Sequence, residues 1–296
     1  MSGTIPGAVI VLESAGVIGR GLVAAAIEAG YPVVAVDPQP AALADLGAAG
    51  AQAPLVLVRG AARSEADARA LAVQLRALDR PLAGLLAAVD AGALRGRLLD
   101  QPVEATCAAL GQALAPQLAA ARHLLPLLSE RGRRGGAVLV GGPGGLHPWA
   151  GYGQRSLAEA SLRMLARILH DEARPQGVRL QLLSVDTPTC GLHAGPPRAH
   201  WPSALEIGQQ AVRLLASGGP GGAVVEFARA QPMPIPAARA APRPAPFTAS
   251  APAPQAPDSD LSLLPSGCLQ DVRKLLGRFE RSPVNRTRAN KEAFPQ

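Results

Sequence analysis

Aromatic side chains make up only 3% of the 296 residues, whereas apolar residues make up 48%. A core large enough for a full domain must therefore be filled by Ala, Leu and Val rather than by rings. Cysteine is equally scarce. Cys107, Cys190 and Cys268 form no CxxC pair and no regular framework, which excludes a disulfide scaffold and suits a reducing cytosol. No uninterrupted apolar run approaches the roughly 18–20 residues that cross a bilayer. The opening residues, MSGTIPGAVIVLESAG, lack the basic start of a secretory signal. These absences lead us to expect a cytoplasmic protein with no membrane span.

What is present is unevenly charged. Residues 1–230 hold 20 basic residues against 17 acids, and residues 231–296 hold 9 against 5. More than half of the net +7 thus falls on less than a quarter of the length. An acidic partner surface is the first expectation from such a tail, ahead of nucleic acid.

Up to about residue 230, short apolar runs alternate with helical patterns. Strands are expected at Ala8–Leu12, Pro32–Val36, Pro54–Val58, Leu82–Ala88, Ala137–Val140, Val178–Ser184 and Ala223–Glu226. A helix is expected over Gly19–Ala29, ended by Gly30, and the longest helices near Val103–Leu128 and Gly151–Glu172. Buried strands separated by such helices imply an α/β fold, a doubly wound parallel sheet covered on both faces. At residue 231 the texture changes. Residues 231–257 are Pro/Ala-rich with no apolar period and read as a disordered linker. Residues 258–296 follow, with Leu269, Val272, Leu275, Leu276 and Phe279 at helical spacing and basic residues mostly opposite. This basic amphipathic helix is a candidate for docking a protein partner, or for packing on its own domain.

The turn after the first strand, Leu12-Glu13-Ser14-Ala15-Gly16-Val17-Ile18-Gly19, stands where a dinucleotide-binding loop would. Gly16 and Gly19 remain, but Glu13 sits where the first glycine belongs, and a carboxylate there repels a diphosphate. Asp37 ends the second strand 18 residues after Gly19, the place of an acid that bonds the ribose of NAD. Two readings stand side by side. Either Gly16, Gly19 and Asp37 bind NAD, or Gly19 serves close packing, Asp37 is a solvated strand-end acid and no cofactor binds.

Residues 136–189, GAVLVGGPGGLHPWAGYGQRSLAEASLRMLARILHDEARPQGVRLQLLSVDTPT, with HLLPLLSERG just before, resemble the short-chain dehydrogenase/reductase family, and the resemblance extends over roughly residues 5–230. It implies a single Rossmann-type domain, NAD(P)H-dependent interconversion of alcohols and carbonyls, and oligomers built on the two long helices. The family's catalytic positions, however, are replaced. Its serine falls on Gly142, its proton-donating tyrosine on Arg155, its lysine on Glu159 and its helix asparagine near Ala113. The adenine-contacting aspartate falls near Ala61, and the Asn-rich turn reads Ala88-Val89-Asp90-Ala91-Gly92. A shifted alignment does not rescue them, because residues 1–230 contain no lysine and no asparagine.

Arginine does not exchange a proton near neutral pH, and a carboxylate beside a phenol raises its pKa rather than lowering it. Arg155 and Glu159, four apart on one helix, are expected to pair, worth about 0.3 kcal/mol if exposed. Tyr152, close in sequence to His147 and Trp149, is the remaining candidate for chemistry. Cys190, His193 and His200 are metal-competent but match no trusted zinc spacing. The leading expectation is a catalytically inactive pseudoenzyme that binds partners, as a homo-oligomer or as a hetero-oligomer with an active relative. The alternative is an NAD-dependent oxidoreductase with an altered site.

Overall fold

The structure, a computed structural model, describes residues 7–49, 54–89, 96–130, 135–149, 151–192, 201–217 and 221–228. The chain divides into two units, Met1–Pro232 and Met233–Gln296, and every described residue lies in the first. The linker at 231–257 and the helix carrying Leu269, Val272, Leu275, Leu276 and Phe279 lie outside the described residues.

The strands are β1 (Ala8–Leu12), β2 (Val33–Asp37), β3 (Leu55–Arg59), β4 (Leu82–Ala88), β5 (Gly135–Gly141), β6 (Val178–Ser184) and β7 (Val224–Glu226). The helices are α1 (Val17–Glu28), α2 (Pro40–Ala49), α3 (Glu65–Ala77), α4 (Val103–Ser129), α5 (Gly153–Ala173) and α6 (Ala204–Ala216). All strand pairs are parallel, in the order β3-β2-β1-β4-β5-β6-β7. The chain winds outward from β1 in one direction and from β4 in the other, as a doubly wound sheet does.

The strand pleat explains the two cores. Ala8, Ile10 and Leu12 point to one face, where α3, α4 and α5 bury their apolar stripes. Val9 and Val11 point to the other, against α1 and α6. Leu, Ala and Val fill both cores, with Tyr31 the one aromatic residue among their fully buried members. The closest helix contact is between α1 and α6. A Cβ at Gly21 would lie 2.8 Å from Ala204 Cβ and overlap the Ala204 carbonyl, and one at Gly208 would overlap the Gly21 carbonyl.

Element boundaries shift for local reasons. Helix α1 starts at Val17, not Gly19, because Gly16 is extended (ψ 166°) and acts as N-cap. Strand β2 starts after Pro32, which lacks an N–H to donate. Helix α5 starts at Gly153, since Gly151 has φ +76° and cannot be helical.

The short edge strand β7 is anchored by charge. Arg163 on α5 donates to Ser184 Oγ and to Glu226 Oε1, both at 2.6 Å. The Arg163 hydrogen bond holds the Glu226 carboxyl below the ordinary carboxylate value of 4.5. A carboxyl depressed by folding adds stability that is complete above its unfolded value and is lost as pH falls through its folded one. Glu226→Gln is therefore expected to flatten part of the fall in Tm below about pH 4.5 and to leave its shape near pH 7 unchanged, as measured by thermal unfolding across pH.

Candidate functional site

A cleft of about 500 Å³ opens at the C-terminal ends of β1, β4, β5 and β6, beside the point where strand order reverses between β1 and β4. This is where open α/β sheets place their ligands. Its floor is apolar, from Ala88, Val89, Val140 and Val185. One wall is the β1–α1 turn, with Glu13, Gly16, Val17, Ile18 and Gly19. The other carries Gly142, Pro143, Trp149 and Arg155.

Gly142, Arg155 and Glu159, the residues expected at the family's catalytic positions, meet one another at this wall. Glu159 is 2% exposed, and its Oε1 accepts the Gly142 N–H at 2.9 Å. The same oxygen lies 3.9 Å from Arg155 Nη2. Arg155 also donates from Nε to the Pro143 carbonyl at 3.3 Å and stands 5.8 Å from the centre of the Trp149 ring. Glu159 is thus buried and Arg155 half-buried, and the 0.3 kcal/mol of an exposed helix pair does not describe them. Gly142 completes the set. A Cβ there would lie 2.9 Å from Glu159 Oε1 and overlap Arg155 Nη2, so a serine fits only if the guanidinium moves away. Replacing any one of the three residues disturbs the other two.

Tyr152 occupies the N-cap of α5 with its ring centre 5.0 Å from that of Trp149. It is not among the residues that line the cleft, whereas Trp149 and Arg155 are. Ala113 is 3% exposed inside α4 and brings no polar atom to the site. One turn on, Gln117 is buried with no hydrogen bond to its Oε1. Cys190 is a free thiol at the start of the loop after β6. Its companions His193 and His200 lie outside the described residues, as do Asp90, Ala91 and Gly92.

The β1–α1 turn holds most of what the sequence did not disclose. Glu13 has φ +51°, a left-handed backbone that favours glycine. This agrees with the glycine the motif expects there. Its carboxylate is bridged by Arg63, with Nε to Oε1 and Nη2 to Oε2 both at 3.3 Å. That hydrogen bond raises the Arg63 pKa. Asp37 is 4% exposed, which corrects the expectation of a solvated strand-end acid. Its Oδ2 accepts the Ala15 N–H at 3.1 Å and its Oδ1 the Gln39 N–H at 2.9 Å. Gly19 is inside α1, where a Cβ would overlap the Glu13 carbonyl and lie 2.8 Å from Ser14 Cα. Close helix–turn packing alone demands a glycine there. Gly16 is the helix N-cap and lines the cleft.

Ala61 lines a second, much smaller cavity of about 20 Å³ with Gly60, Ala62, Gln117 and Glu13. A dinucleotide does not fit this set of residues as it stands. The ribose acid is engaged by backbone N–H groups, the turn presents a carboxylate, and the space beside Ala61 holds about one water.

Among the described residues no helix is long and apolar enough to cross a membrane. No model of a known protein family matches the chain, and no curated protein matches it. Solved structures do. A short chain dehydrogenase/reductase family oxidoreductase from Burkholderia thailandensis matches at 24% identity with a TM-score of 0.62, covering 75% of this chain and 90% of that one. A short chain oxidoreductase from Pseudomonas aeruginosa PAO1 that contains an atypical catalytic center matches at 17% identity with a TM-score of 0.65, covering 77% and 97%. An NADPH-bound structure described in the same terms, from the same organism, matches at 18% identity, also with a TM-score of 0.65, covering 74% and 94%. Over about three quarters of its length, this chain has the fold of the short-chain dehydrogenases/reductases.

Proposed function

We propose that this chain is a divergent short-chain dehydrogenase/reductase that acts by binding rather than by turnover. The observation that carries the proposal is the mutual contact of Gly142, Arg155 and Glu159 in the cleft wall. A carbonyl reductase needs a group there that gives up a proton near neutral pH. Arginine does not, glycine has no side chain, and Glu159 is committed to its two neighbours.

In this reading the domain associates with copies of itself or with an active relative. Leu157, Met164 and Ile168 on α5 and Leu118 on α4 are exposed apolar residues that such an association would cover. The segment at 258–296 serves as the docking element for a protein partner, reaching out on the linker at 231–257.

One observation favours a second reading, an NAD(P)-dependent oxidoreductase with altered machinery. The Pseudomonas aeruginosa neighbours contain an atypical catalytic center, and one is NADPH-bound. In this chain Tyr152 would then be the proton donor. Purified full-length protein, given NADH or NADPH and a panel of ketones and aldehydes, separates the two. The proposal expects no nucleotide oxidation above the protein-free rate. Turnover that disappears in Tyr152→Phe establishes the second reading instead.

A further inference from the structure

The dinucleotide corner and the loss of chemistry are separate matters, since a protein can bind a nucleotide that it does not turn over. At that corner the chain's own groups take up the contacts that a dinucleotide requires. Asp37 sits at the C-terminal end of β2, 4% exposed, with one carboxylate oxygen on the Ala15 N–H and the other on the Gln39 N–H. The first contact ties β2 to the β1–α1 turn, 22 residues earlier in the chain. The second closes the start of the β2–α2 connection. Each oxygen thus already holds one backbone N–H, and with the carboxylate 4% exposed little of its remaining acceptor capacity is open to a ribose.

Glu13 adds a second obstacle. It lines both the 500 Å³ cleft and the 20 Å³ cavity beside Ala61. A molecule running from one to the other passes Glu13, whose side chain stands where a glycine would leave room for a diphosphate. Arg63 pairs with that carboxylate through Nε and Nη2 and offsets its charge, so the obstacle is chiefly the bulk of the paired side chains where a nucleotide loop has glycine. Past Glu13 the cavity between Gly60, Ala61, Ala62 and Gln117 admits about one water, far less than a purine ring.

We infer that this chain does not bind a dinucleotide, and that Asp37 serves instead as an internal staple that fixes the β1–α1 turn. The turn keeps the backbone shape of a nucleotide loop, with Glu13 in a left-handed conformation. It is held in that shape by a carboxylate of the chain rather than by a ligand.

The test pairs two readouts on the full chain, titration of NADH fluorescence with calorimetry of NAD and NADP, and thermal unfolding of Asp37→Ala and Asp37→Asn. Wild-type protein shows no saturable signal with any of the nucleotides at millimolar concentration. Asp37→Ala lowers Tm by about 5–10 °C, because two backbone N–H groups lose their acceptor and the turn loses its tie to β2. Asp37→Asn, which keeps one acceptor oxygen, loses less, and it carries the comparison if the alanine variant does not fold. Saturable binding of any of these nucleotides to wild-type protein overturns the inference, as does an Asp37→Ala variant with unchanged Tm. Binding without turnover would overturn this inference and leave the non-catalytic reading intact, whereas turnover would overturn that reading as well.

Discussion

Glu159→Ala is expected to destabilise the folded domain by about 2–4 kcal/mol. The loss has two sources. The Arg155 guanidinium, partly buried against Trp149, is left without its carboxylate, and the Gly142 N–H loses its acceptor. Glu159→Gln separates them. It keeps an oxygen for Gly142 but removes the charge, so a cost of about 1–2 kcal/mol is expected. Glu159→Lys, which places the reductase family's residue at this position, is the most damaging of the three. It sets a second cation within reach of Arg155 at a position that is only 2% exposed. Urea midpoints of the three variants, with equal m-values, check the order. An undiminished midpoint for Glu159→Lys would mean that the wall is looser than described.

Gly21→Ala and Gly208→Ala are each expected to cost about 2–4 kcal/mol, although alanine is the better helix former. The added methyl at residue 21 meets the Ala204 carbonyl, and the one at residue 208 meets the Gly21 carbonyl. In both cases the obstacle is backbone, so one helix must move off the other. Helices α1 and α6 bury their apolar residues in one of the two cores, with Val9, Val11, Leu86 and Val138 of the sheet. Gly111→Ala is the matched control. This glycine is exposed on α4 with nothing within 4 Å of an added Cβ. There the substitution gains stability, up to about 1 kcal/mol, from helix propensity alone. Thermal unfolding of the three variants, read side by side, isolates backbone contact from propensity.

The sheet was legible in the sequence because buried parallel strands announce themselves as unbroken apolar runs. Ala8–Leu12, Leu82–Ala88 and Val178–Ser184 are found with the expected bounds. Boundaries moved where one residue's backbone decides them, as at Gly16, Pro32 and Gly151. The sequence also singled out Gly142, Arg155 and Glu159, which the structure places just after β5 and on α5 in the cleft wall. Their burial was not legible. An i,i+4 pair reads the same on a solvated face as on a face turned to the sheet, and only the packing of α5 against β5 and β6 tells which. Asp37 was misread for a related reason. A strand-end acid is usually solvated, and its two backbone donors at residues 15 and 39 come together only when β1 and β2 pair. The Glu13–Arg63 bridge spans 50 residues and left no trace in local spacing.

Arg155 and Glu159 form one structural unit in place of two reacting groups. A double-mutant cycle measures that directly: urea unfolding of wild type, Arg155→Ala, Glu159→Ala and the double variant. A coupling energy of about 1–3 kcal/mol is expected, with the double variant more stable than the sum of single losses implies. Additive losses, with no coupling between the two positions, would contradict it.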